Sequence, residues 1–262
     1  MQKAPTSLRQ RIQDGEHVIG SFLLSRDPAV VRVASAAGLD LVMLDFEHGT
    51  YSVESAAQLI DVACFSPVET FVRCTVDDVP VLGRLLDRGL DGVLVAAATS
   101  AEDVKRCVDQ VKFVPQGKRG YNPIVPAAGY GTMDGETFTS ESDEHTSVWV
   151  LAENRNLLSQ LDEVCEIEGL DGVFFGPYDL SVDLGLRGQV THPVVTRALN
   201  DSMSVVRSHG LPTGIFAKDA EDGRPWLDQG VQLLIVGADW MNLQKTWTST
   251  VQSLSKQPTG QR

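Results

Sequence analysis

Leu170-Asp171-Gly172-Val173-Phe174-Phe175-Gly176-Pro177-Tyr178-Asp179-Leu180-Ser181 reads as a strand that ends by delivering an acid. The apolar run from Val173 to Phe175 is short enough for a strand buried on both faces, and it breaks on Gly176-Pro177 just before the carboxylate of Asp179. Upstream, Glu168-Gly169-Leu170-Asp171 places a glycine where a helix C-terminus takes a left-handed residue. The same joint recurs at Ala37-Gly38-Leu39-Asp40, Arg88-Gly89-Leu90-Asp91 and Gln229-Gly230-Val231-Gln232. A repeated helix-to-strand joint ahead of a buried run is the signature of a βα unit.

Eight such runs occur: Val18 to Leu23, Leu41 to Leu44, Glu69 to Val72, Gly92 to Ala96, Val148 to Ala152, Gly172 to Phe175, Thr213 to Phe216 and Leu233 to Val236. Helical patterns lie between them, among them Val53 to Ala63, Val79 to Leu86, Ala101 to Val111, Asn156 to Ile167, Pro193 to Arg207, Asp219 to Asp228 and Asp239 to Leu254. Eight units predict a single (β/α)8 TIM barrel over residues 1–254 rather than an open doubly wound sheet, with residues 255–262 as a flexible polar tail. The connection from Lys112 to Ser147 breaks the short-loop rule. It is rich in Pro and Gly, turns acidic in its second half, and reads as a lid, a substrate wall or a partner contact.

The chain has 262 residues, 42% of them hydrophobic and 22% charged, and a formal charge of −13. That charge excludes nucleic acid and anionic membrane as partners, since both need a basic face. The N-terminal segment has no apolar core of signal-peptide length, and no run approaches the roughly 18 apolar residues of a membrane span. Cys64, Cys74, Cys107 and Cys165 form no CxxC pair and read as reduced thiols of a cytoplasmic protein.

A barrel of this kind builds its site from residues at the C-terminal ends of its strands. Those ends carry Asp45, His48, Arg73, Glu153 and Asp179. Glu153 and Asp179 are hard oxygen donors suited to Mg²⁺, Mn²⁺ or Co²⁺, or else they pair with neighbouring cations or cap the next helix, as Asp179 would do in a turn through Ser181. His48 suits a general base with Asp45 fixing its tautomer, or is structural. Arg73 suits a carboxylate or enolate oxygen, or an ion pair with Asp45 or Glu47. A turn starting after Gly176-Pro177 offers free backbone N–H groups to a substrate carboxylate. Gly237, after the eighth run, is a weak candidate for a phosphate site.

These landmarks, Asp45-Phe46-Glu47-His48-Gly49, Val72-Arg73, Pro115-Gln116-Gly117-Lys118-Arg119-Gly120, Glu153 and the stretch from Asp171 to Ser181, resemble the HpcH/HpaI class II pyruvate aldolase family over roughly Gly20 to Leu254. The resemblance implies a metal-dependent lyase that cleaves or forms 4-hydroxy-2-oxo acids from pyruvate and an aldehyde through an enolate. It matches Glu153 and Asp179 to the divalent-metal ligands, His48 with Asp45 to the catalytic pair, Arg73 to the enolate-stabilising arginine, and the turn from Gly176 through the Tyr178 and Asp179 amides to the pyruvate carboxylate site. It also implies a homo-oligomer, a hexamer or trimer of dimers, in which neighbours exchange the Asp239 to Leu254 helix. Three positions differ from common family residues: Leu151 stands for Gln, Ala96 for Pro and Tyr178 for a small residue. An oxaloacetate decarboxylase or enolate-using synthase is the alternative enzyme, and a non-catalytic 2-oxo-acid-binding barrel the alternative outside catalysis.

Overall fold

The computed structural model describes residues 7–255. Eight parallel strands close in sequence order, with β8 returning to β1. They are β1 (Val18–Leu23), β2 (Leu41–Asp45), β3 (Glu69–Thr75), β4 (Gly92–Ala96), β5 (Ser147–Ala152), β6 (Gly172–Phe175), β7 (Thr213–Ala217) and β8 (Leu233–Ala238). The expected (β/α)8 barrel is therefore present, and where strands differ from the predicted runs they extend by one to three residues.

Two apolar layers hold it. Val42, Leu44, Val72, Val93, Val150 and Val173 face outward against the helices. Leu41, Met43, Phe71, Leu94, Trp149, Phe174 and Ile235 fill the barrel interior. The interior is packed by matching large residues to glycines on the adjacent strand: Phe71 is in register with Gly92, Trp149 with Gly172 and Phe174 with Gly214. A Cβ at Gly172 would stand 2.5 Å from the Trp149 ring, so the space those glycines leave is the space the rings occupy.

The helices are α1 (Leu8–Gln13), α2 (Ala29–Ala36), α3 (Val53–Ala63), α4 (Val79–Leu86), α5 (Ala101–Val111), α6 (Gly135–His145), α7 (Arg155–Leu158), α8 (Leu161–Cys165), α9 (Pro177–Asp183), α10 (Pro193–Ser208), α11 (Ala220–Asp228) and α12 (Asp239–Ser255). Two readings change. The predicted helix from Asn156 to Ile167 is two short helices, because Gln160 at the break turns its amide to Thr99 and Ala101 near the start of α5. The connection from Lys112 to Ser147 is ordered: it holds a 3₁₀ segment, Pro126–Gly131, and α6, whose N-cap is Asp134. The aromatic rings of Phe113, Tyr121 and Phe138 pack together beneath it. At the C-terminus α12 runs through Ser255, one residue into the predicted tail, of which residues 256–262 lie outside the described residues. No helix among the described residues is long and apolar enough to cross a membrane.

Candidate active site

Asp45 and Arg73 occupy the same register at the C-terminal ends of β2 and β3. This places them side by side, and the fork of Arg73 meets the carboxylate at both oxygens, with Nε–Oδ1 at 3.0 Å and Nη2–Oδ2 at 2.6 Å. Asp45 Oδ1 also accepts from the backbone N–H groups of Glu47 and His48. The carboxylate thus folds the following loop around itself, and the tightness of that loop explains Gly49, where a Cβ would stand 2.1 Å from the Asp45 carbonyl oxygen. Sequence reasoning paired Asp45 with the imidazole of His48. Here Asp45 holds the His48 backbone instead, because its two oxygens are taken by Arg73 and the loop amides, and the exposed imidazole faces the cavity.

Arg73 is fixed from three sides. Besides Asp45, its Nε lies 3.4 Å from Glu47 Oε2, and its guanidinium carbon stands 4.4 Å from the centroid of the Phe22 ring. A planar cation held this way is preorganised, which favours charge stabilisation without a reorganisation cost.

Glu153 follows β5 and is buried, with Oε1 accepting from the N–H of Ala97 at 2.8 Å. Ala97 adopts a left-handed φ of 56°, which costs a non-glycine residue about 1 kcal/mol. That strain turns its amide toward the carboxylate. Burial pushes the Glu153 carboxyl up to about 7, with the charges of Glu47 and Asp179 adding to the effect and the Ala97 amide and Arg73 opposing it. Glu47 is likewise raised, first by burial. Asp179 sits exposed in the first turn of α9 at the mouth. In that turn the amides of Tyr178 and Asp179 precede the first helical bond, from Leu180 N–H to the Gly176 carbonyl. Gly176 lets the chain pass Glu153 closely, since a Cβ there would meet Glu153 Cβ at 3.0 Å and Oε2 at 3.3 Å.

These residues fit a hard divalent cation. Crowded carboxylates that raise one another's affinity for protons are relieved by a shared positive charge. Among the described residues no three His, Cys, Asp or Glu side chains gather as a ready-made metal cluster. A pair of carboxylates leaves the remaining positions to water and substrate, as Mg²⁺-type ions prefer. The phosphate reading at Gly237 fares differently: the Asp239 carboxylate already accepts from the amides of Leu24, Ser25 and Trp240, so an anion of the chain's own serves that end.

Against known proteins, the family model for HpcH/HpaI aldolase/citrate lyase matches residues 18–245. This chain belongs to the HpcH/HpaI aldolase/citrate lyase family. A hydroxypyruvate/pyruvate aldolase from Pseudomonas aeruginosa is 32% identical over 231 residues, covering 88% of this chain and 86% of that protein. The HpcH/HpaI aldolase structure from Desulfitobacterium hafniense superposes with a TM-score of 0.90 at 29% identity, covering 98% of this chain and 99% of that one. The citrate synthase SbnG structure superposes with a TM-score of 0.86 at 28% identity, covering 95% and 98%.

In this family member, β2, β3 and β6 with α9 bring Asp45, His48, Arg73, Gly176, Tyr178 and Asp179 to one cavity of about 380 Å³. Glu153 lies behind Gly176 rather than on the cavity wall. Two contributors escaped sequence reasoning. Glu47 did not, since it is one of the two acids offered as an ion-pair partner of Arg73, and its Oε2 lies 3.4 Å from Arg73 Nε. Phe22 lies on an interior-facing strand position, which alternation reveals. Ala97 offers no side-chain signal, because its contribution is a backbone angle.

Proposed function

We propose that the protein is a divalent-metal-dependent pyruvate aldolase, joining pyruvate or a close 2-oxo acid to an aldehyde and reversing that reaction. The observation that carries the reading is the buried Glu153 carboxylate packed against Gly176, beside the open first turn of α9 that holds Asp179. Glu153 and Asp179 would hold Mg²⁺, Mn²⁺ or Co²⁺, and the bound cation supplies Lewis acidity that acidifies the keto acid's methyl protons. The Tyr178 and Asp179 amides receive the substrate carboxylate at the positive end of α9. Arg73, clamped by Asp45 and Glu47, faces the negative charge that develops on the enolate oxygen, a role often worth a few kcal/mol of barrier. His48, exposed at the cavity, moves the proton on the aldol hydroxyl, directly or through water.

The test is hydrogen–deuterium exchange of the pyruvate methyl group followed by NMR. Exchange should vanish when the protein is stripped of metal, return with added Mg²⁺, Mn²⁺ or Co²⁺, and fail to return in Glu153→Gln and Asp179→Asn. Pyruvate binding without exchange under any metal would leave a non-catalytic binding barrel. The likeness to citrate synthase SbnG supports a second reading, an oxaloacetate-using decarboxylase or C–C-forming synthase. Metal-dependent CO₂ release from oxaloacetate that outpaces retro-aldol cleavage would favour it.

The proposed assembly is a homohexamer in which neighbours exchange α12. Its support is that α12 buries none of its residues in its own chain and leaves Trp240, Met241, Leu243, Trp247, Val251 and Leu254 exposed. A cytoplasmic location is proposed from the sequence's four cysteines with no CxxC pair, a usage that suits a reducing compartment.

A further inference from the structure

Arg73 is the one lysine or arginine among the described residues lining the cavity, and both Asp45 and Glu47 already claim it. Most of the remaining lining is apolar. Leu151 and Phe174, in register on β5 and β6, form part of its floor. From there an aromatic wall climbs outward: the Phe22 ring lies under Arg73, Phe216 stands 5.9 Å from Phe22, and Tyr178 meets Phe216 edge-on at 6.0 Å. Tyr178 is 45% exposed, so the wall reaches the rim. Resting on the aldolase reading above, we infer that the aldehyde partner is uncharged and apolar, with an aryl group or an alkyl group of similar size, and that Phe22, Phe216 and Tyr178 select it.

The physical grounds are exclusion and fit. A carboxylate or phosphate on the aldehyde would enter a mouth lined by Asp45 and Asp179 on a chain of formal charge −13, with no uncommitted lysine or arginine in the lining to receive it. A polyhydroxylated aldehyde would give up water against Phe22, Leu151, Phe174 and Phe216, where side chains return no hydrogen bonds. An aryl ring instead finds ring faces and edges at the spacing aromatic pairs prefer. At about 380 Å³ the cavity is at the small end of ligand sites, which usually span about 300 to 1,000 Å³. The chemistry balances without a further reactant. The pyruvate methyl carbon loses one proton, its electron pair forms the C–C bond to the aldehyde carbon, and the aldehyde oxygen takes a proton to become the hydroxyl.

The experiment measures kcat/KM at saturating pyruvate for benzaldehyde, glycolaldehyde and succinate semialdehyde, beside methyl exchange on pyruvate alone, with metal-loaded full-length protein. Benzaldehyde should exceed each of the others at least tenfold, and Phe216→Ser should cut that ratio at least tenfold, within the roughly 10- to 200-fold range that single apolar pocket contacts command. A smaller preference, a reversed one, or a ratio untouched in an exchange-competent Phe216→Ser overturns the inference while the exchange result leaves the aldolase reading standing. Absence of exchange in the wild-type protein removes both. Should Phe216→Ser fail to exchange, the wild-type ratios alone decide.

Discussion

Arg73 illustrates how a site residue carries structural weight as well. Its partner Asp45 is buried, and removing one member of such a pair strands the other charge at a cost of about 3 to 5 kcal/mol. Arg73→Ala is therefore expected to lose stability together with turnover, which overrides the simpler expectation that only turnover suffers. Arg73→Lys keeps the charge but not the two-point fork, so it should remain folded in urea titrations while methyl exchange falls at least tenfold; an unchanged exchange rate would remove the fork from the mechanism. Gly176 allows a cleaner separation. A Cβ there presses Glu153 at 3.0 Å and Leu151 Cδ1 at 3.2 Å, and the backbone φ of −102° suits alanine. Gly176→Ala should leave the fold intact yet weaken Mn²⁺ binding roughly tenfold by calorimetry, the scale seen when supports of metal ligands are disturbed. At this scale the sequence was legible in position: Asp45, Arg73, Glu153 and Asp179 stand at or just past the strand ends where the apolar runs put them. It was silent on Ala97, whose part is a left-handed backbone, and on Asp45 it offered both His48 and Arg73 as partners, between which register across strands rather than spacing along the chain selects Arg73.

Elements were most legible where burial imposes a period. The strands and α3, α4 and α5 stand where their apolar patterns placed them, because each presents one face to the layer outside the barrel. α6 escaped notice since Phe138 is its one buried residue and its surface is acidic. What holds α6 is a cation from elsewhere. Lys112 is fully buried and donates from Nζ to the carbonyls of Asp143 and Thr146 at the helix C-terminal end, while Phe113 N–H bonds the Asp143 carboxylate. Burial lowers the Lys112 amine to about 8. Between that value and the ordinary 10.5, the unfolded chain carries a proton that the folded one has shed. The unfolded state binds more protons there, so stability rises as pH climbs from about 8 toward 10, by on the order of 3 kcal/mol for the full shift. Thiols act oppositely in the upper part of this range, burial pushing the partly buried Cys165 up to about 11 and the buried Cys107 to about 12, so the comparison must be differential. Denaturant titrations of wild type and Lys112→Met at intervals from pH 7 to pH 10 should show the difference moving in favour of the wild type as pH rises; a constant difference would mean that Lys112 keeps its ordinary affinity for protons.

For the whole molecule, the barrel accounts for every described strand but leaves α12 without a surface to lie on. Most helical stability in proteins comes from packing an apolar face rather than from propensity. α12 spans Asp239–Ser255 with no buried residue, while Trp240, Leu243, Trp247 and Val251 recur at helical spacing along it. A buried tryptophan covers about 150 to 250 Å², so the two on this face alone offer a substantial part of the area that a stable interface needs from one partner. The sequence placed a helix at this terminus and the family resemblance implied its exchange with a neighbour; among the described residues no element covers its apolar side. Trp240→Asp/Trp247→Asp places two charges on the face without touching the cavity. By light scattering this variant should have a lower mass than the wild type, and its melting temperature should fall, since an assembly stabilises its folded members by mass action. Wild type should also melt higher as its concentration is raised, and the variant should lose that dependence. A variant that keeps the wild-type mass would show that α12 is not the element joining the subunits.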